Sequence, residues 1–294
     1  MRPFLKPLSI AILALVSAST ARADNKHDVT GIVLKIDRDH HSMVVSCKSI
    51  PGYMDAMVMS FPVRNSAVLD SLKPGEAVQF TFITDGGAGY AENVQPRPFQ
   101  NLELDPSQTR RMKILESVLS EQAATKPLAI GESVPDFRLT DQKGQSIALS
   151  QFSGKVVGLT FVYTRCPFPN YCFRLTNNFG QLQKRFADRM GKDLILLTIV
   201  IDPANDRPAA LDTYGETWKA NPAGWHFLTG TLSEIQSLCR GFDMNFYPDE
   251  ALLVHSFHTV LVDRQGRLAA NMEGNDFTSK QLGDLVETIM NRQN

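Results

Sequence analysis

Two hydrophobic rhythms divide the chain. Between residues 28 and 95, apolar and polar positions alternate in short runs. "VTGIVLKIDRDHHSMVVSC" holds two such runs around a charged turn. "SLKPGEAVQFTFITDGGAGYAENVQ" repeats the pattern, with Pro74-Gly75 and Gly86-Gly87 as turn signals. Period-two alternation over strands this short predicts a small all-β barrel or sandwich. From Gly131 to Asn294 the rhythm changes. Apolar, β-branched runs predict strands at Val156–Tyr163, Leu194–Ile201, His255–Val262 and Arg267–Met272. Between and after them, helical spacing predicts Arg174–Met190, Arg207–Lys219, Leu232–Gly241 and Thr278–Arg292. Strands alternating with helices, ending in a hairpin at "DRQG" and a closing helix, predict an α/β sheet with helices on both faces. Residues 96–130 join the two parts. There Asp105 caps a predicted amphipathic linker helix from Pro106 to Gln122, and Met112, Leu115, Val118 and Leu119 form a stripe suited to docking on a domain.

Residues 1–23 follow neither rhythm. Arg2 and Lys6 precede an apolar run from Leu8 to Ala18, and Ala21-Arg22-Ala23 matches a signal-peptidase site. The apolar run is shorter than the roughly 18 residues that favour a spanning helix. A cleaved signal peptide and export to a bacterial periplasm are therefore expected, against an uncleaved membrane anchor. Cleavage leaves 271 residues with 27 basic and 31 acidic side chains. That balance gives no support for binding nucleic acid or an anionic membrane. Two domains of ordinary hydrophobic content do not need disulfides for stability, so the four cysteines are free for chemistry.

Half of those cysteines lie in "FVYTRCPFPNYCFRLTNNF", where a strand hands over to a helix. Cys166 and Cys172 stand six positions apart, and Pro167 and Pro169 oppose helix between them. A loop aiming both sulfurs at one point is expected, with the following helix N-terminus stabilising a thiolate. A disulfide, a redox dithiol and a pair of soft metal ligands all fit. The segments "VPDFRLTDQKGQ", "GKVVGLTFVYTRCP", "LTIVIDPANDRPAAL" and "HSFHTVLVDRQGRL" resemble the Sco/SenC family of copper-binding proteins, whose fold is thioredoxin-like. The resemblance implies a copper site of Cys166, Cys172 and His255, with Asp202 in a supporting role beside it. The common family form places three residues between the cysteines, whereas this chain has five, "PFPNY". His258, three positions past His255, falls on the opposite face if one strand carries both. Cys239, in "LSEIQSLCRGF", reads as packing.

The β-rich part holds a second soft cluster, "SCKSIPGYMDAMVMSFPV". Met57 and Met59 share a strand face, and Met43 and Met54 lie close in sequence. Thioethers with the Cys47 thiolate suit Cu(I) or Ag(I). This segment resembles the CusF-like periplasmic copper-binding domain, a small OB-type β-barrel. Its Met-x-Met pair matches Met57 and Met59. The family's histidine falls near Cys47, and its aromatic cap falls near Met54 or Tyr53. The match places no imidazole at the motif.

Together these resemblances imply an exported two-domain copper protein. The barrel (28–95) captures Cu(I), and the thioredoxin-like domain (131–294) binds Cu(I) and Cu(II). The latter passes copper to an acceptor, such as the CuA centre of cytochrome c oxidase, by ligand exchange rather than enzymatic chemistry. Contact with a membrane comes only through the acceptor, and a monomer is expected. Cys166 and Cys172 can also close into a reversible disulfide. The rival is an enzyme, a thiol–disulfide oxidoreductase or peroxidase of the same fold. The peroxidase pattern Pro-x-x-x-Thr-x-x-Cys is absent, because Leu159 and Tyr163 occupy its places before Cys166. A third reading is a metal-free interaction module.

Overall fold

The β-rich part forms a five-stranded antiparallel sheet. Its strands are β1 (Asn25–Asp37), β2 (Ser42–Cys47), β3 (Val58–Pro62), β4 (Ala77–Asp85) and β5 (Ala88–Pro96), in the order β3-β2-β1-β4-β5. These coordinates are a computed structural model describing residues 25–85, 88–99, 126–249 and 252–292. The expected signal peptide and linker helix lie outside the described residues. The sheet curls until its edges meet, where Val63 bridges Ala91 and the Arg64 N–H donates to the Ala91 carbonyl. Alternation assigns the faces. Val29, Val33, Met43, Val45, Cys47 and Phe61 fill the interior of the barrel, whereas Ile32 and Leu34 point out and join the larger core next door. Gly31 is required where β1 crosses β2, because a Cβ there would strike the Val45 side chain and the Ser46 carbonyl.

The second unit is built on a mixed sheet. In chain order its strands are β6 (Arg138–Asp141), β7 (Ser146–Ala148), β8 (Val156–Val162), β9 (Leu194–Val200), β10 (Trp225–Thr229), β13 (His258–Val262) and β14 (Leu268–Glu273). They lie in the order β14-β13-β8-β9-β10-β6-β7, while β11 (Phe246–Asp249) and β12 (Leu252–His255) make a separate ribbon. The helices are α1 (Cys172–Arg185), α2 (Pro208–Thr217), α3 (Leu232–Gly241) and α4 (Ser279–Met290). Phe179 of α1 lies over Gly158, whereas Phe242, just past α3, meets Phe161. Residues 158 and 161 face opposite ways along β8, so helices cover both faces, as the alternation predicted. The hairpin β6–β7 and strand β10 escaped the pattern reading. The expected strand His255–Val262 is two strands, broken where the Ser256 N–H turns to the Asn245 carbonyl.

This topology gathers the site at one edge. Strands β8 and β9 run parallel, so both end there, and β13 runs antiparallel to β8, so it begins there. Cys166 and Cys172 follow β8, Asp202 follows β9, and His255 immediately precedes β13.

The barrel docks on α4 and β14. The Ser46 hydroxyl donates to the Asp284 carboxylate at 2.7 Å, and the Gln281 amide donates to the Ser46 carbonyl at 2.9 Å. Asp284 also pairs with Arg185 and Lys280, which keeps this buried carboxylate compensated. Ile32, Leu34, Val44 and Ala77 of the barrel pack into the core of the second unit, so the interface excludes water. Among the described residues, no helix is long and apolar enough to cross a membrane.

Candidate metal centres

Cys166 sits in the loop leaving β8, and Cys172 opens α1. The loop is held at its start. The Thr164 N–H and hydroxyl both donate to Asp206, and the Arg165 guanidinium donates to Asp202 at 2.6 Å. Asp202 thus touches the residue before Cys166 rather than either thiol. The Cys172 sulfur lies 3.7 Å from His255 Nε2. The other ring nitrogen, Nδ1, donates to the Ser256 carbonyl at 2.8 Å. That bond puts the ring proton on Nδ1 and leaves the Nε2 lone pair facing the thiols, an arrangement typical of metal-binding imidazoles. Burial lowers the His255 pKa from its ordinary 6.5 to about 4, so the ring is neutral at physiological pH.

The two thiols are unlike. Cys172 is buried, and burial pushes its thiol well up. Cys166 is pulled down to about 6, chiefly by a hydrogen bond from the Cys172 thiol. The Cys172 N–H, at the start of α1, adds to this stabilisation. The same N–H also favours a Cys172 thiolate, but burial outweighs it, so Cys166 is the more acidic thiol of the metal-free pair. The Tyr163 hydroxyl also reaches Cys166, a contact that the spacing of the motif does not reveal. All four cysteines are free. Among the described residues, no three of His, Cys, Asp or Glu already converge on a metal-sized gap. Capture by Cys166, Cys172 and His255 would thus require these three side chains to close on the ion. The donor set suits a thiophilic ion that also accepts imidazole, copper or zinc.

His258 heads β13, not the strand of His255. Its Nδ1 lies 2.9 Å from Asn271 Oδ1, so it faces away from the thiols for a different reason than one shared strand. Cys239 is buried in the core, as expected.

In the barrel, the Cys47 N–H donates to the Met57 carbonyl at 2.9 Å, and Val45 pairs with Met59. Met57 sits at the rim, 44% exposed, while Met54 and Met59 pack on the edge of the barrel core. Cys47 differs from them. Its sulfur points into the core towards the Val45 carbonyl, and burial pushes its thiol up to about 12. Binding through that sulfur would have to remove a proton against this burial. Strand β1 carries an imidazole that lies outside the motif. His27 has the same parity as Val29 and Val33, so it faces inward, and its ring stacks on Tyr53 at 3.6 Å. Its Nε2 is buried and has no hydrogen-bond partner. The alternation of β1 was the available signal, but His27 lies twenty residues before Cys47 and outside the motif.

Residues 126–291 match the family model described as SCO1/SenC, and residues 26–96 match that described as copper binding periplasmic protein CusF. The chain is 30% identical over 105 residues to the SCO1 protein homolog of Bacillus subtilis, covering 35% of this chain and 52% of that protein. It is 27% identical over 158 residues to protein sco1 of Schizosaccharomyces pombe, covering 51% and 58% respectively. The chain therefore matches just over half the length of these two relatives. Among solved structures, that of yeast Sco1 with copper bound is 25% identical, with a TM-score of 0.47, covering 56% of this chain and 91% of that one.

Proposed function

Because the chain belongs to the SCO1/SenC family and carries a CusF copper-binding domain ahead of the family region, we propose that this copper-binding protein is an exported carrier with two copper sites. It loads the metal onto an acceptor protein, with the CuA centre of cytochrome c oxidase as the expected destination. Cys166, Cys172 and His255 hold copper in the thioredoxin-like domain. The observation that carries this reading is the lone pair of His255 Nε2, aimed at the Cys172 sulfur by the bond from Nδ1 to Ser256. An imidazole beside two thiols accepts both Cu(I) and Cu(II). In the barrel, Met57 and Met59 hold Cu(I), with Met54 beside them and His27 as the available imidazole. Cys47 serves the barrel core. Transfer proceeds by exchange of ligands, so copper moves from the thiolates to the acceptor without a change in the covalent structure of the protein.

The test is a Cu(I) titration of the reduced full chain against a competing chelator. About two ions per chain are expected, falling to one in Cys166→Ser with Cys172→Ser. Two tight ions in that double variant would refute the assignment. A second reading, thiol–disulfide exchange on an acceptor's cysteines, is favoured by the unlike thiols. An acidic, accessible Cys166 above a buried Cys172 is the arrangement of an attacking and a resolving thiol. Its test is reduction of a small disulfide substrate by the copper-free dithiol. No turnover, with copper binding intact, would leave the carrier role alone.

A further inference from the structure

The loop between the cysteines carries five residues, 167–171, and a longer loop loses more conformational freedom when it is ordered. The structure supplies an anchor for that length. Asn275 is buried, and its side-chain amide donates to the Asn170 carbonyl at 2.5 Å. Asn275 belongs to the short link between β14 and α4, and the barrel grips this link on both sides of it. Arg97 pairs with the Asp276 carboxylate at 3.5 Å, and Lys48 donates to the Asp276 carbonyl at 3.3 Å. Phe99 packs where a Cβ of Gly274 would stand, and the absence of that Cβ also allows the glycine its positive φ of 87°.

A second line of contacts runs from the same segment to the histidine. Phe99 meets Phe257 edge-on at 6.0 Å. Phe257 in turn lies edge-on to the His255 ring at 4.7 Å and to Tyr171, the residue before Cys172, at 5.0 Å. The Phe257 carbonyl accepts from the Gly274 N–H at 2.8 Å, which joins the two lines. The segment Pro96–Phe99, leaving the barrel, thus reaches the cysteine loop through Asn275 and the histidine through Phe257. Behind the segment lies a cleft of about 530 Å³, lined by Pro96, Phe99, Lys126, His258 and Glu273 among others.

We propose that Phe99 and Asn275 are positioning residues of the Cys166–Cys172–His255 centre, through which the docked barrel sets the geometry of that centre. This rests on the proposed copper site, but the contacts also constrain the metal-free dithiol. Residues that orient metal ligands from behind typically change affinity about 10–100-fold when removed.

The experiment uses the full chain with Phe99→Ala, Phe99→Leu and Asn275→Ala. Three properties are measured: Cu(II) affinity by the thiolate charge-transfer band, Cu(I) binding at the barrel as an internal control, and the Cys166–Cys172 dithiol/disulfide equilibrium against glutathione without metal. Phe99→Ala and Asn275→Ala are each expected to lower Cu(II) affinity at least tenfold and to shift the disulfide equilibrium. The barrel site should be unchanged, and Phe99→Leu should recover most of the loss. If the wild type gives no thiolate–copper band, the proposed function fails, and positioning is still decided by the disulfide equilibrium. Affinity and disulfide equilibrium both within twofold of wild type in the two alanine variants would overturn the proposal. So would a lower melting temperature with both properties unchanged, which would make Phe99 and Asn275 packing alone.

Discussion

Replacing Cys172 with alanine removes the hydrogen bond that does most to lower the Cys166 pKa, and the consequence can be followed through a full pH profile. In the copper-free, reduced protein Cys166 titrates near 6 instead of the ordinary 9.0. At pH 7 a thiol of the first kind is about nine-tenths thiolate and one of the second kind about one-hundredth, a roughly 90-fold difference. The more basic thiolate is, however, the better nucleophile. At a Brønsted slope of about 0.45, three units of basicity give it roughly 20-fold greater reactivity. Complete loss of the effect therefore slows alkylation only about fourfold at pH 7 but about 20-fold at pH 6, and the variant overtakes the wild type near pH 8. These are limits, because the Phe168 and Cys172 backbone and Tyr163 still favour the Cys166 thiolate. Cys172→Ser keeps a donor and should remain closer to the wild type. The assay is iodoacetamide labelling of the intact chain between pH 5 and 9, with Cys166 followed by peptide mass. A midpoint that stays near 6 in Cys172→Ala would refute the shared-proton account of this pair.

Three further outcomes follow from the geometry. His255→Ala should abolish the Cu(II)–thiolate absorption and leave Cu(I) binding through Cys166 and Cys172, whereas His258→Ala should keep the absorption. The latter should still lose about 1–3 kcal/mol in a urea melt, because it empties the buried place of the His258 ring and takes the partner from the Oδ1 of half-buried Asn271; the reverse pattern would show that the ligand is His258. Buried His255, held near 4 when folded and near 6.5 when unfolded, takes up its proton in the unfolded chain first. Stability should therefore fall as pH drops from 6.5 towards 4, by about 3 kcal/mol from this residue, and level off below that. The melts of His255→Gln should show a shallower fall across that window, and equal slopes would refute the assignment. Met57→Leu with Met59→Leu should reduce Cu(I) stoichiometry from two to one, whereas Cys47→Ala should keep two and cost about 1 kcal/mol in stability. Loss of an ion in Cys47→Ala alone would make that buried sulfur a ligand.

Much of this molecule was legible as pattern. Period-two alternation placed an all-β unit at 28–95, which the resemblance to CusF-like domains narrowed to a barrel, and continuous β-branched runs placed β8 and β9, because those strands are buried on both faces. Strand β10 was hidden, since "WHFLT" is short and its apolar residues resemble a helix flank. Ribbon β11–β12 was hidden because pairing with each other, rather than with the main sheet, defines it. Cys166, Cys172 and His255 were named as a set because the segments around them resemble those of the Sco/SenC family.

What sequence alone determined, then, was composition of donors and order of elements: two soft clusters, two folds, and which cysteines flank the turn from β8 into α1. Tertiary structure decided everything that depends on who faces whom. It placed the proton of the thiol pair on Cys172 by burying that sulfur while leaving Cys166 near the surface. It turned His27 inward beside Tyr53, from a strand twenty residues away from Cys47, and set Cys47 into an apolar interior. It also joined the barrel to the thiol loop through Phe99, Asn275 and Phe257. The physical reason is common to all three. Acidity, ligand competence and coupling arise from desolvation and contact between residues remote in sequence, and neither quantity is carried by local periodicity.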